Sequence, residues 1–403
     1  MATDLFPLNP LTPKFLYKVL NERPDDSKRG WRQKYLQPKL APFENFYERE
    51  VLLEKTQAES NLAGLYAPDG QAIPVGDPLF STMMLSMQDV KSARNIKPNI
   101  VQKIREAGEL AVFNAGNTSV SKRNKRAIAK EIQRKMSLCE DDVDVTLEYF
   151  TVHALLGSLV WPPVNDAGSA ISNPPAHWNA EYSGTWTFPM PSDMNQDVAS
   201  LVNYAGSAAT ADQRKYWSDP SADILGQFRL MRQIGSEKYG IDFWGGTVIV
   251  PQSTFDLMAE NDDIKEYILG SNKEQTGARN FVTDVDVKDY IKTKLGWNFM
   301  TYDAFWTYRT ESLGSAATKT RVHFLPRNKI IILPPGDIGL RMGTAPIEQA
   351  DESWKPGKMP WTFKDPKPNY NREVGVNVIA WPVFTNGDDA DEGANRMVLQ
   401  VLA

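Results

Sequence analysis

Few side chains in this sequence could do acid–base, nucleophilic or metal chemistry, and those few are scattered. The imidazoles are His153, His177 and His323. Imidazole is the side chain whose ordinary pKa places its charge change near neutral pH. No two of the three stand at the H-x-x-x-H spacing that would present a metal with a pair of ring nitrogens on one helix face. Cys139 is the only cysteine. An intramolecular disulfide and a cysteine-based zinc site are therefore excluded, and the usage fits a reducing compartment. Cys139 also falls on an apolar stripe, where it reads as a packing residue and not as a nucleophile. The spacings G-x-S-x-G, G-x-G-x-x-G and Walker A are absent. Gly336-Asp-Ile-Gly339-Leu-Arg-Met-Gly343 follows no phosphate-cradle pattern and reads as turn geometry. Asp284-Val-Asp286 and Asp388-Asp389-Ala-Asp391-Glu392 could hold a cation. Neither has the calcium-loop pattern, and capping or a solvated loop is the simpler reading. With 50 carboxylates in the chain, close pairs arise by chance and carry no catalytic weight. The residues point to no catalytic, cofactor-binding or metal site, and the chain reads as a non-enzyme.

The element that must position everything else is the stretch Ser121–Leu156, which contains no Gly or Pro. Ile128, Ile132, Met136, Cys139, Val143, Leu147, Phe150 and Ala154 recur every three or four residues, the mark of one apolar stripe on a long helix. Thr118, Ser119 and Ser121 offer N-caps, and Gly157 with Pro162 and Pro163 ends the run. Two shorter helices broken near Cys139–Asp142 are the alternative. The charge order is unusual. Lys122, Arg123, Lys125, Arg126, Lys130, Arg134 and Lys135 crowd the first half, and Glu140, Asp141, Asp142, Asp144 and Glu148 the middle. Cations near a helix N-terminus oppose the macrodipole. Either this is a solvated charged face or another subunit supplies the compensating acids.

A chain of 403 residues with 41% hydrophobic and 24% charged residues is long enough for two or three domains and a sizeable core. A net charge of −5 gives no overall basic field toward nucleic acid or anionic membrane. The first residues, Met-Ala-Thr-Asp-Leu-Phe-Pro, lack the basic start and apolar run of a signal peptide. No apolar stretch approaches a membrane span.

In chain order, the prolines at 7, 10, 13, 24, 38 and 42 predict an extended arm over 1–44, with a short helix around Lys14–Leu20. Residues 45–100 read as a long two-stranded excursion. Phe46–Thr56 forms its first arm, Ala67-Pro-Asp-Gly-Gln the turn, and Ile73–Gly76 followed by Ser81–Val90 the return. The first arm is acidic, with Glu44, Glu48, Glu50, Glu54 and Glu59. Such a ribbon is only marginally stable alone and needs something to lie on. Lys97–Gly108 reads as a short helix. The even spacing of Trp178, Tyr182, Trp186 and Phe188 predicts strands, and Asn195–Tyr204 another short element. From Ser218 the pattern is α/β. Ser218-Asp219-Pro220 caps a helix carrying Ile224, Phe228, Met231 and Ile234. Thr247–Val250 is a buried strand. One helix runs from Pro251-Gln-Ser253 through Phe255, Met258, Ile264 and Ile268, and a third covers Asp286–Lys294. Trp297–Tyr308, Val322–Leu325 and Asn328–Leu333 are strands. The tail returns to strand at Val374–Phe384 and Met397–Leu402.

The order of these parts, with several short stretches, resembles the major capsid proteins of tailed double-stranded DNA phages, in the lambda-type capsid E family of the HK97 fold. The stretches are Ala67-Pro-Asp-Gly, Ile96-Lys-Pro-Asn-Ile100, Trp217-Ser-Asp-Pro-Ser-Ala-Asp-Ile224 and Val248-Ile-Val-Pro-Gln-Ser-Thr-Phe255. The clearest is Phe324-Leu-Pro-Arg-Asn-Lys-Ile-Ile-Ile-Leu-Pro-Pro-Gly-Asp-Ile-Gly339. The resemblance covers about residue 40 to the end and implies an α+β fold. Its parts would be an N-terminal arm (1–44), an extended β-hairpin E-loop (45–100), a discontinuous peripheral domain (101–211 and 341–403) with the spine helix 121–157, and an inserted α/β axial domain (212–340). It implies a structural protein that self-assembles into pentamers and hexamers of an icosahedral head around double-stranded DNA, located in the virion capsid after assembly in the host cytoplasm. Portal, scaffold and decoration proteins are implied partners, with non-specific contact to packaged DNA, no cofactor and no membrane. An encapsulin-like compartment shell is an alternative, and a hydrolase with a carboxylate-bound metal at 284–289 or 388–392 a more distant one. Within the capsid reading, the acidic ribbon of one subunit would lie across the basic half of a neighbour's long helix. The expected contact residues are Glu48, Glu50, Glu54, Leu52, Leu65 and Tyr66 on the ribbon, against Lys122, Arg123, Lys125 and Arg126. The same bases could instead face DNA phosphates.

Overall fold

A computed structural model describes residues 35–46, 48, 50–56, 80–96, 118–165, 169, 171, 183–272, 282–309, 319–348, 354–364, 372–385 and 395–403. The expected helices at Lys14–Leu20 and Lys97–Gly108, the ribbon turn at Ala67–Gln71, its return at Ile73–Gly76, and residues Trp178, Tyr182 and 388–392 lie outside the described residues.

The apolar stripe forms a single 38-residue helix, Thr118–Leu155, about 57 Å long at ~1.5 Å per residue. It does not break at Cys139–Asp142. Met136, Cys139, Val143 and Leu147 are buried on both sides of that point, so the stripe stays on one face and gives the backbone no reason to bend. The helix lies on a five-stranded sheet whose organising member is the 13-residue strand Arg372–Phe384. The first part of that strand pairs with Gln88–Ile96 and with Met359–Lys364, and its last part with Leu340–Ala345. Phe43–Asn45 adds to Leu340–Ala345 in parallel.

A second five-stranded sheet runs in the order Asn195–Asp197, Met397–Gln400, Lys329–Leu333, Thr247–Val250, Asn298–Thr301. Its central strand, Lys-Ile-Ile-Ile-Leu, is apolar on both faces because both faces are covered. Ile330 and Ile332 point into one core with Phe228, Met231, Phe255 and Trp297. Ile331 and Leu333 point into the other, which holds Leu147, Phe150, Val376 and Trp381. The sheet is thus the wall between two cores. The last strand completes this sheet, antiparallel to Lys329–Leu333, and does not stay with the rest of 341–403 as the bracketing arrangement implied. Met397 and Leu399 face one core and Val398 the other, a pattern that only a position inside the sheet can bury.

Four further expectations need correction. The helix carrying Phe228 is Ile224–Tyr239, capped by Asp223, whose carboxylate accepts from the Gly226 N–H at 2.8 Å. Asp219 instead closes a turn by accepting from Ser221. The helix expected from Pro251 onward is two, Gln252–Glu260 and Asp262–Asn272. Asn261 between them is extended; its amide donates to the carbonyls of Pro220 and Ala222, and its oxygen caps Ile264 N–H. The strand expected over Trp297–Tyr308 is divided into Asn298–Thr301 and Phe305–Arg309, and the latter forms a ribbon with Lys319–His323. The arm is not extended up to residue 44. Tyr35 and Leu36 are buried, a short helix Gln37–Leu40 accepts Pro38 in its first turn, and the chain then enters the first sheet.

Two of the three stretches considered as ion sites lie among the described residues, and both are accounted for locally. Asp286 forms a capping box with Thr283 at the start of helix Asp284–Leu295. Gly336 and Gly339 have φ of 94° and 70°, and Asp337 accepts from Gly339 N–H, so this is turn geometry. Among the described residues no helix is long and apolar enough to cross a membrane.

Candidate intersubunit interface

Glu50–Thr56 and Phe80–Ser86 form an antiparallel hairpin, with Glu50 opposite Ser86, Leu52 opposite Met84 and Glu54 opposite Thr82. The described part reaches about 23 Å at ~3.3 Å per residue. It forms a sheet of two strands only, with no third strand of its own chain among the described residues. Its root is firm. Phe46 and Met87 close over Gly343, where an added Cβ would lie 2.9 Å from the Phe46 ring and 3.1 Å from the Met87 methyl. Gly343 pairs with Glu44 on one side and Trp381 on the other. Both ends of the hairpin are thereby fixed to the first sheet. Glu48 is exposed beside this root, and Glu50 is exposed at the start of the strand. Leu65 and Tyr66 lie outside the described residues.

Lys122, Arg123, Lys125 and Arg126 occupy the first third of the long helix. Along the helix, Lys135 donates to the Asn95 carbonyl at 3.0 Å, near the end of strand Gln88–Ile96. The four basic positions lie 9 to 13 residues before Lys135, beyond the level of Asn95 by roughly 14–20 Å at ~1.5 Å per residue. The hairpin of the same chain roots at the other end of that strand, beside Met87.

Three acids of the middle of the helix, Glu140, Asp142 and Asp144, meet cations of their own chain. Arg94 meets Asp142 at 2.6 Å, and Ser92 donates to the same carboxylate at 2.9 Å. Lys358 sits between Glu140, at 3.7 Å, and Asp144. Glu131 pairs with Arg134 at 2.8 Å, and this hydrogen bond holds the Glu131 carboxyl below its usual range. Half of the charge anomaly thus needs no second subunit.

Two buried ionisable residues went unsuspected as organisers of this region. Glu148 accepts hydrogen bonds from Leu36 N–H at 2.7 Å, Gln37 N–H at 2.8 Å and the Tyr302 hydroxyl. Burial raises its pKa to about 7, against the pull of those donors. Arg396 donates to the Leu155 carbonyl at 3.0 Å, at the C-terminal end of the long helix, and to Phe188 and Pro189. Burial lowers its pKa to about 9. From Leu147 to Leu156 every residue of this helix end is buried, so here its own chain surrounds the rod on all sides. The signal in sequence was faint: a Glu amid Leu147, Tyr149 and Phe150, and an Arg immediately before the apolar run Met397–Leu399.

Cys139 and His153 are packing residues. Cys139 is fully buried with its thiol toward the Val374 carbonyl at 3.6 Å, and burial raises its pKa. His153 is 9% exposed, stacks on Tyr149 with ring centroids 4.0 Å apart, and is pushed down to about 4 by burial. His323 ends a strand beside Phe305, and His177 lies outside the described residues.

A family model described as phage major capsid protein E matches residues 17–169. Among solved structures, one assigned as the capsid protein of a prophage of E. coli CFT073 superposes with a TM-score of 0.51 at 11% identity, over 97% of this chain and 99% of that one. A phage-related protein from Bordetella bronchiseptica RB50 gives 0.41 at 10% identity, covering 97% and 96%. A structure from Mycobacterium phage Adephagia gives 0.40 at 9%, covering 97% of each chain. The likeness in fold rests on the first of these. No curated protein matches in sequence. Over residues 17–169 the chain is similar to the phage major capsid protein E family, and it has the HK97-type capsid fold.

Proposed function

We propose that this chain self-assembles into the pentamers and hexamers of an icosahedral head enclosing double-stranded DNA, without catalytic turnover. The observation that carries the reading is the hairpin Glu50–Thr56/Phe80–Ser86, a sheet of two strands among the described residues, rooted at Gly343. A ribbon of this kind is marginal in water and gains stability from a surface supplied by another copy. In this reading the parts take the roles of N-terminal arm (1–44), E-loop (45–100), peripheral domain with the spine helix, and axial domain (212–340 with the strand Met397–Gln400). Assembly takes place in the host cytoplasm, and portal, scaffold and decoration proteins are partners by class.

The hairpin of one subunit lies across the first third of a neighbour's long helix. Glu48, Glu50 and Glu54 offset Lys122, Arg123, Lys125 and Arg126, whose charges oppose their own helix dipole. Exposed ion pairs contribute only about 0–1 kcal/mol each, so Leu52, Leu65 and Tyr66 supply most of the affinity by apolar burial. The contact is heterologous and repeats around a closed ring. The test is to reverse Lys122, Arg123, Lys125 and Arg126 to Glu together and image the product by electron microscopy. Folded protein that forms no shells supports the pairing. Shells that form normally but package little DNA would move these four bases to the DNA-facing role.

A further inference from the structure

The second sheet carries one exposed tryptophan on its rim that is built to stay exposed. Trp244 is 50% accessible, and three contacts hold it in place. Its backbone N–H donates to the Asp242 carboxylate at 2.8 Å, the Arg232 guanidinium lies over its ring at 5.1 Å, and its indole lies directly on Gly296. An added Cβ at Gly296 would come within 2.7 Å of the indole. A cation over a held indole, half in water, is the composition of an interface anchor, since Trp and Arg dominate binding hot spots.

Gly296 is the C-terminal cap of helix Asp284–Leu295. At the other end of that 12-residue helix, about 18 Å away at ~1.5 Å per residue, is an open groove of roughly 410 Å³. Apolar Ala259, Leu269 and Val282 line it together with the carboxylates of Asp256, Glu260 and Asp284, and Lys265 is the one base in its lining. Asp256 and Asp284 share the Gln252 amide at 2.7 and 3.0 Å. Glu260 makes no such bond among the described residues. Three carboxylates against one ammonium, beside apolar Ala259, Leu269 and Val282, suit the groove to a cation with an apolar face.

We infer that the Arg232–Trp244 knob of one copy seats in the Asp256/Glu260/Asp284 groove of the next copy, with Arg232 opposite Glu260. The occupant is a second copy of this chain because anchor and groove are complementary in charge and in apolar character. They also lie at opposite ends of one rigid helix, too far apart to meet within a molecule. Two different patches, one donating and one receiving, make a head-to-tail contact that closes a ring when it repeats. This inference rests on the shell reading and gives the 212–340 segment its own share of the contact, independent of the hairpin.

The experiment compares particle yield of the wild type with Trp244→Ala, Arg232→Glu, Glu260→Arg and the double variant Arg232→Glu/Glu260→Arg, with circular dichroism melting to confirm that each is folded. The expected result is at least a tenfold loss of particles in each single variant, without loss of fold, and recovery in the charge-swapped double variant. Wild-type-like yields from folded Trp244→Ala and Arg232→Glu, or a double variant no better than the singles, would overturn the inference. If the wild type itself yields no particles, it is the shell reading that fails.

Discussion

The phenol of Tyr302 and the carboxylate of Glu148, 154 residues apart in sequence, meet in a buried hydrogen bond. The same carboxylate accepts the backbone N–H groups of Leu36 and Gln37. One side chain on the long helix therefore joins the start of the described chain to the end of strand Asn298–Thr301. The bond also explains why the strand expected over 297–308 divides. Tyr302 turns inward to reach Glu148, and the ladder resumes only at Phe305. The seam it closes is the one between the long helix and the inner face of the second sheet, where Ile249, Ile331 and Leu333 pack.

Glu148 and His153 give this seam opposing responses to pH. Burial raises Glu148 from 4.5 to about 7. The folded protein therefore holds that proton more tightly than the unfolded chain. The contribution is fully present below about pH 4.5 and is lost as pH rises through about 7. Burial lowers His153 from 6.5 to about 4. Its contribution is present above about pH 6.5 and lost as pH falls toward 4. The displacements are similar in size, each worth about 3 kcal/mol, so their slopes cancel between about pH 4.5 and 6.5. Urea unfolding of the wild type should be nearly flat across that window for these two groups. Glu148→Gln should leave a stability that climbs by about 3 kcal/mol from pH 4 to 6.5. A profile as flat in Glu148→Gln as in the wild type would show that Glu148 does not titrate here.

Arg396 should be costly to replace. Its guanidinium serves three carbonyls, of Leu155, Phe188 and Pro189, and lies 4.2 Å from the centroid of the Phe384 ring. Arg396→Met removes the cation from the C-terminal end of the long helix and leaves buried acceptors without donors. With about 1–3 kcal/mol for each buried acceptor left unanswered, a loss of about 3–5 kcal/mol is expected, read as a lower urea midpoint. Arg396→Lys should recover only part of it, because one ammonium cannot span the three acceptors. Equal midpoints for the Met and Lys variants would show that the fork geometry is unimportant.

What was legible beforehand was periodic. The stripe from Ile132 to Ala154 announced the helix and its buried face, and Lys329–Leu333 announced a strand covered on both sides. What was not legible depended on partners far away in the chain. Glu148 looked like one more acid in a charged run because its donors come from backbone N–H groups 111 and 112 residues away. Asn261 gave no sign of dividing a helix, since the carbonyls that hold it belong to Pro220 and Ala222. The acids of the long helix find their partners within the chain, which the sequence did not show. Arg94 and Lys358 answer its acids, and neither residue's position could be known before the sheet was. The compensation of the first third was placed in another subunit, and that remains the purpose of the hairpin in the reading above.

The root of that hairpin offers the most local test. Gly343 is paired on both sides, so its strand has no freedom to step away from a new methyl group. In Gly343→Ala the Cβ would meet the Phe46 ring at 2.9 Å and the Met87 methyl at 3.1 Å. The Met side chain can move, but the planar ring must swing outward and carry the start of the hairpin with it. Overpacking of this kind costs about 1–3 kcal/mol. The strain falls at the root, so limited proteolysis should cut within 50–56 or 80–86 more readily in Gly343→Ala than in the wild type, before any change in the global melting curve. Adding Phe46→Leu supplies the missing space and should restore part of the resistance. If the hairpin carries the contact between copies, particle yield should follow proteolytic resistance across these variants, and a folded, protease-sensitive variant with full particle yield would separate the two.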